Sequence, residues 1–441
     1  MDKKTVGLIS LGCDKNRVDS ERLLSALCDD YHVTNDISRT QILIINTCAF
    51  LESARKEAIQ TVFEYLPYKE EGVLEKIIMT GCLPQKFIEE LFDDLYEVDG
   101  FLGTFDGNLI KSLIDEVYKG KRVNWVKMGA PIERGRYLTT PGHYAYLKIA
   151  DGCSNHCTYC LIPKIRGPFK SAPIEALVEE ASLLGDVEEL VLVAQDTTKY
   201  GLDLYGEPRL VELIKALSAL ENVKAIRLLY CYPELVSDAL IEELATNPKL
   251  IKYIDIPFQH ASDRILKLMN RKGTFASNLE LVKKLKTRVK GIAIRSTFIA
   301  GFPGETEEDV KVLADFLKEA KLFNAGFFPY SKEPDTAASR LSGHMRAAEK
   351  NKRVKYLYSV QGGVMGQLLD GFVGQTLEVV CDGLDKKFSG FVGRAWFSAP
   401  EIDGVVYLRG EGLIEEGKKY SVRIKSHKNC DLYGVIENEL T

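Results

Sequence analysis

The chain of 441 residues reads as an α/β protein of about three domains that ends in a small all-β barrel. Three observations predict this. Short β-rich runs alternate with helical patterns at the start. A second series of six strand candidates follows a break rich in Pro and Gly. Near Gly371 the helical periodicity stops, and short alternating runs separated by Gly and Asp take over.

In the first series, Val6–Leu11 precedes a helix through Ser20–Leu24, Ile42–Ile45 precedes one over Glu52–Tyr65, and Ile77–Met79 precedes one over Gln85–Leu95. This predicts an amino-terminal parallel α/β domain over residues 1–130. Pro131, Gly135, Pro141 and Gly142 mark residues 131–143 as a linker. In 144–370, strands are expected at Tyr144–Ile149, Leu190–Ala194, Ala225–Tyr230, Tyr253–Ile256, Ile292–Ile299 and Ala325–Tyr330. They suggest a partial (β/α)6 barrel, with its functional loops at the carboxyl ends of the strands. In 371–441, Thr376–Cys381, Phe388–Val392, Val405–Leu408 and Tyr420–Ile424 predict the small β-barrel.

Composition excludes several classes. Apolar residues are 45% and charged residues 27%, the balance of an ordinary globular chain. The formal charge of -5 argues against a molecule built to gather polyanions, so nucleic-acid contact would have to be local. The start lacks a secretory h-region and no run is long enough for a membrane span, which predicts a cytoplasmic protein without membrane contact. Ten cysteines in a reducing compartment are then thiols or ligands rather than a disulfide framework.

Their positions sort them. Cys153, Cys157 and Cys160 form a C-x3-C-x2-C loop directly after the strand Tyr146–Ile149. So short a loop can wrap three thiolates round one soft metal centre, and on a four-iron cube three thiolates leave one iron open. A zinc site is the competing reading. It needs a fourth ligand, and His156, adjacent to Cys157, is poorly placed to supply one. Three buried structural thiols fit less well, because Asp151, Gly152, Ser154 and Asn155 make the loop polar.

This spacing resembles the radical S-adenosylmethionine (SAM) superfamily. The resemblance implies a [4Fe-4S] cluster whose open iron holds SAM and cleaves it to a 5′-deoxyadenosyl radical. It also suggests where SAM contacts fall. Gln195 and Asp196 end a strand where the superfamily holds the SAM amino group. Gly301 and Gly304 lie in a turn of the kind found beside SAM, Arg295 is a carboxylate partner, and Tyr159 packs near adenine. The residue-level alternatives are a helix capping box at Thr306 and Asp309 with Glu305 as a first-turn acid, a solvated strand arginine, and plain aromatic packing. His260 and Tyr330, also at strand ends, read as satisfied polar neighbours of the cavity. Arg166 and Lys170 read either as surface charges or as partners of an acidic substrate residue.

Cys13, Cys48 and Cys82 each follow a predicted parallel strand of the first domain, where open α/β sheets gather their ligand sites. Neighbouring strands lie about 4.8 Å apart, so three sulfurs can converge on one cluster. Three unrelated buried cysteines are the alternative. Cys28 continues the apolar pattern of Leu23, Leu24 and Leu27 and reads as core, while Cys231, Cys381 and Cys430 read as structural.

With both trios, the chain resembles the methylthiotransferases over essentially its whole length: a three-cysteine auxiliary-cluster domain, a radical SAM domain and a TRAM β-barrel. The run Leu11-Gly12-Cys13-Asp14-Lys15-Asn16-Arg17 resembles the RimO branch, with Asp14 where that branch commonly has Pro. The tRNA-modifying MiaB branch usually shows Gln-Met-Asn after the cysteine. The RimO resemblance implies two [4Fe-4S] clusters and SAM as cofactors and an electron donor such as flavodoxin or ferredoxin. The implied substrate is the β-carbon of an aspartate in small-subunit ribosomal protein twelve (uS12). One SAM would methylate a sulfur on the auxiliary cluster, and a second would supply the radical that activates the carbon. Modification of N6-isopentenyl-adenosine in tRNA is the alternative. Residues 371–441 carry eleven acidic and nine basic side chains, a balance that does not favour phosphate binding.

Overall fold

The computed structural model describes residues 3–132, 135–385, 388–410 and 412–440. Glu133 and Arg134 of the expected linker lie outside them. The chain forms two compact units, one of Met1–Thr139, Tyr146–His156 and Cys160–Lys170, the other of Thr140–Ala145, Cys157–Tyr159 and Ser171–Thr441.

The first unit is built on a parallel sheet of six strands: β1 (Thr5–Ser10), β2 (His32–Val33), β3 (Ile42–Thr47), β4 (Lys76–Gly81), β5 (Gly100–Phe101) and β6 (Val123–Asn124), in the order β2-β1-β3-β4-β5-β6. All six residues of β3 are buried, as expected of a central parallel strand covered on both faces. Helices α1 (Asp14–Leu27), α2 (Glu52–Glu70) and α3 (Cys82–Asp94) follow β1, β3 and β4. Leu23 and Leu27 of α1 pack with Ile42, Ile44 and Ile78, while Ala58 and Val62 of α2 pack with Ile45 and Met79 on the other side. Register fixes the carboxyl ends: Ser10 pairs with Asn46, and Thr47 with Gly81. The segment read as a linker is anchored here. Arg136 Nε and Thr139 N–H donate to the two carboxylate oxygens of Glu21 at 3.0 and 2.9 Å.

A strand β7 (Tyr144–Lys148) leads into the loop of Cys153, whose base is closed by the short pair β8 (Ala150–Asp151) and β9 (Lys170–Ser171). The second six-stranded sheet adds β10 (Glu189–Val193), β11 (Ile226–Leu228), β12 (Leu250–Asp255), β13 (Ala293–Ala300) and β14 (Asn324–Pro329), in the order β14-β13-β12-β11-β10-β7. Strands β10 to β14 run parallel, and every residue of β10 is buried.

After the helix Ala347–Asp370, five strands close a barrel: β15 (Thr376–Asp385), β16 (Gly390–Arg394), β17 (Val406–Arg409), β18 (Lys419–Lys428) and β19 (Asp431–Leu440). Leu377, Val379, Val406, Leu408, Val422, Ile424 and Leu432 are buried. The expected four strands are present, and β19 is an addition. Its polar end, Glu437-Asn438-Glu439, hid it from an apolar alternation, although it pairs with β18 along its length. No helix among the described residues is long and apolar enough to cross a membrane.

Candidate functional site

The register of the first sheet brings Cys13, Cys48 and Cys82 to one end. Cys48 follows Thr47 and Cys82 follows Gly81, two residues paired across β3 and β4, and Cys13 lies three positions beyond Ser10. Cys13 is the N-cap of α1 and Cys82 the first residue of α3, so both face the partial positive charge of a helix start. Glycines make the approach possible. A Cβ on Gly12, at φ +105°, would stand 2.8 Å from Cys48 Cβ, and one on Gly81, at φ +97°, would stand 2.3 Å from Asn46 Oδ1.

Asn16 ties the three turns together. Its Nδ2 donates to Leu11 O and Thr47 O, each at 3.0 Å, and its Oδ1 accepts from the Cys82 thiol at 3.8 Å. Burial pushes the Cys82 thiol up to about 12. The Arg166 charge opposes that rise, and Cys13 and Cys48 add to it. Burial likewise raises Cys48, where the N–H of Phe50 pulls the other way. A thiol as buried as that of Cys82 becomes anionic only beside a positive charge, which a metal centre would supply.

In the second group, Cys153 and Cys160 lie in the first unit and Cys157 and Tyr159 in the second. Gly152, at φ +70°, lets the loop approach the chain after it, since a Cβ there would stand 2.2 Å from Pro168 O. Cys153 N–H donates to Gly167 O at 3.0 Å, and the N–H groups of Asn155 and Ile162 donate to the sulfurs of Cys153 and Cys160 at 3.4 Å. The short helix Ile162–Ile165 places Leu161 and Ile165 in the same apolar cluster as Met79, Cys82 and Leu83. In the second unit, Cys157 Sγ lies 3.0 Å from Tyr232 Oη, and the Arg271 guanidinium stacks 3.7 Å above the Tyr232 ring. Among the described residues, no three His, Cys, Asp or Glu side chains gather as they would round a single metal ion. A cubane asks for a wider set, because each thiolate takes a different iron.

The expected SAM contacts fall into three kinds. Asp196 is fully buried after β10 and accepts from Thr198 Oγ1 at 2.9 Å, with Gln195 beside it half-buried. Tyr159 packs against the apolar cluster of Met269, Phe302 and Tyr330. Gly301 and Gly304 both have positive φ; the space beside Gly301 is filled by Lys350, whereas that beside Gly304 is open. A Cβ on Gly301 would stand 2.3 Å from Lys350 Cγ, and Gly304 N–H donates to Gly343 O at 3.1 Å. Arg295 departs from the expectation of a SAM carboxylate partner. Its Nη1 donates to Asp255 at 2.9 Å and its Nε to Asp403 at 3.2 Å, so two of the chain's own carboxylates occupy it.

The capping box is present, with Thr306 and Asp309 exchanging hydrogen bonds at the start of the helix Glu307–Ala320. Glu305 is more than a first-turn acid. It accepts from Gly301 N–H, faces Arg353 Nη1 at 2.7 Å and His260 Nε2 at 3.3 Å, and is buried. Burial would raise its carboxyl, but His260 and then Arg353 hold it below the ordinary value. His260 accepts from Ser262 N–H through Nδ1, which leaves its proton on Nε2 toward Glu305. Tyr330 is buried edge-on to Phe302, and burial moves its hydroxyl up to about 12.

Arg166 is neither a surface charge nor free for an acidic substrate, because it is buried against Asp19, Asp151 and Asn16. Lys170 is exposed. Cys231 and Cys381 are buried as expected. Cys28 is half-buried at the end of α1, with its thiol on Ser25 O, and Cys430 is exposed rather than structural, because it sits at the β18–β19 turn. Asn16, Tyr232 and Arg271 escaped sequence reasoning. The signal for Asn16 was an amide three residues after Cys13, on the buried face of an amphipathic helix. Tyr232 and Arg271 carry no local signal.

Three family models match the chain: an uncharacterized protein family designated UPF0004 over residues 5–103, the radical SAM superfamily over 147–317, and the TRAM domain over 373–436. The chain is 42% identical over 435 residues to a protein of Lachnoclostridium phytofermentans named ribosomal protein uS12 methylthiotransferase RimO, covering 97% of this chain and 99% of that one. A protein of the same name from Clostridium botulinum is 43% identical over 446 residues, covering 100% and 99%. Among solved structures, the radical SAM methyltransferase TsrM from Kitasatospora setae aligns with a TM-score of 0.56 at 14% identity, over 76% of this chain and 77% of that one, a likeness of fold.

Proposed function

The chain belongs to the RimO family of ribosomal protein uS12 methylthiotransferases, radical SAM enzymes, and from that membership we propose how its residues divide the work. The family implies a [4Fe-4S] cluster and SAM. Cys153, Cys157 and Cys160 are the ligands of the SAM-cleaving cluster, and Cys13, Cys48 and Cys82 hold a second, auxiliary cluster. Tyr159, Gln195, Asp196, Gly301 and Gly304 line the SAM pocket, whereas Arg295 is left to its carboxylates. The chain divides functionally at residues 1–130, 144–370 and 371–441. The substrate is the aspartate β-carbon of uS12, free or in the ribosome, with a flavodoxin or ferredoxin as reductant in the cytoplasm.

The observation that carries this reading is the register of β1, β3 and β4, which delivers three cysteines from distant parts of the chain to one sheet end. The donor set fits the group: three thiols and no fourth cysteine in each trio leave one iron able to accept another ligand. When bound, the clusters and SAM supply electron transfer, sulfur and a carbon-centred radical. The chain's own residues do the rest. Tyr232 and Arg271 place a hydroxyl and a positive charge beside Cys157 and temper its thiolate. Met269, Phe302 and Tyr330 give Tyr159 an apolar wall, which limits stray hydrogen donors near a radical. Asn16 holds the auxiliary turns in register.

Single substitutions test the division with a uS12-derived substrate. Cys157→Ala is expected to abolish 5′-deoxyadenosine formation. Cys13→Ala is expected to keep it and to lose the mass gain of the methylthio group. Full methylthiolation by the Cys13 variant would overturn the auxiliary assignment.

A further inference from the structure

The division of work above leaves Arg166 without a task, yet the fold buries it. Its side chain is 2% exposed. Nη1 donates to Asp151 at 2.8 Å and Nη2 to Asp19 at 2.9 Å. Lys148 closes the ring, bonded to Asp19 and to Asp151 Oδ2, the latter at 2.8 Å. Two buried bases and two half-buried acids thus form a formally neutral set within the first unit.

One edge of that set faces the cysteine trio. Arg166 Nη2 donates to Asn16 Oδ1 at 2.6 Å, the same oxygen that accepts from the Cys82 thiol. A ligating Cys82 has no proton to give, so Asn16 Oδ1 and the thiolate would then confront each other as two acceptors. The guanidinium beside them resolves that conflict. The opposite edge grips the other cysteine loop. Asp151 lies two residues before Cys153 and Arg166 six after Cys160, so their pairing closes the loop at its base.

Resting on the assignment of Cys13, Cys48 and Cys82 to an auxiliary cluster, we propose that Arg166 is a positioning residue for that centre, fixing a positive charge beside its thiolates. A fixed cation stabilises the more negative, reduced state of a cluster, so Arg166 raises the reduction potential and strengthens retention of the iron. An arginine suits the task because its planar fork binds both acids and Asn16 at once.

The test uses the full chain carrying Cys153→Ala, Cys157→Ala and Cys160→Ala as parent, so that the auxiliary centre is read alone. After anaerobic reconstitution, iron and sulfide are counted and the midpoint potential is measured by titration monitored with electron paramagnetic resonance. Arg166→Met is expected to retain less than half of the parent's iron and to move the midpoint to a more negative potential. Arg166→Lys keeps the charge without the fork and is expected to restore the potential while recovering only part of the iron. Should Arg166→Met fail to fold by circular dichroism, the charge-balanced pair Asp151→Asn with Arg166→Met is read instead, with the same expectation. Parent-like iron and potential in Arg166→Met, or identical behaviour of Arg166→Met and Arg166→Lys, would overturn the role of Arg166 alone. A parent that binds no iron would overturn the ligand assignment and this role with it.

Discussion

Gly12 shows how little room the cysteine turns leave. Its φ of +105° disfavours any side chain, and an added Cβ would press on Cys48 Cβ at 2.8 Å. Gly12→Ala should therefore cost about 1–3 kcal/mol in urea unfolding, from the backbone penalty and the displaced neighbour. It should also lose the auxiliary cluster's share of iron while SAM cleavage continues; full iron content in this variant would show that the turn tolerates the shift. At this scale the sequence was legible where chemistry follows spacing. Three cysteines in eight residues, and three more after the strands β1, β3 and β4, stand out as patterns in the sequence. Asn16 and Arg166 did not, because the meaning of an amide or a guanidinium lies in partners that only folding supplies. The partners of Arg295 were hidden for the same reason, since Asp403 is remote in sequence and nothing local foretells the pairing.

Between elements, buried ion pairs do the joining inside the second unit. Glu189 on β10 is bonded to Arg227 on β11 and, at 2.6 Å, to Arg394 on β16, tying the parallel sheet to the barrel. Burial would raise Glu189, but the Arg227 and Arg394 charges bring it down from 4.5 to about 2. A carboxyl whose folded value is depressed stabilises the fold above its unfolded pKa, and that contribution disappears as pH falls through the folded one. Glu189 accordingly contributes roughly 3 kcal/mol at neutral pH, lost between about pH 5 and pH 2. Urea midpoints recorded across this window should decline in the parent and less steeply in Glu189→Gln, which starts lower; equal slopes would remove Glu189 as the cause. Long strands were legible as elements. The two-residue strands β2, β5 and β6 were not, because they are too short to show a period.

Across the whole molecule, the proposed chemistry rests on two cysteine trios of different origin. One is local, set by a loop; the other is assembled by the register of a parallel sheet and is invisible to any short motif. Full-length relatedness shows the chain to be a member of the uS12 methylthiotransferase family, and the assignment of both trios to clusters is the proposal built on it. The most direct measurement is iron and acid-labile sulfide per chain after anaerobic reconstitution. Two cubes predict about eight of each in the parent, and about four in either trio-to-alanine variant. A parent with about four, unchanged by removal of Cys13, Cys48 and Cys82, would contradict the account.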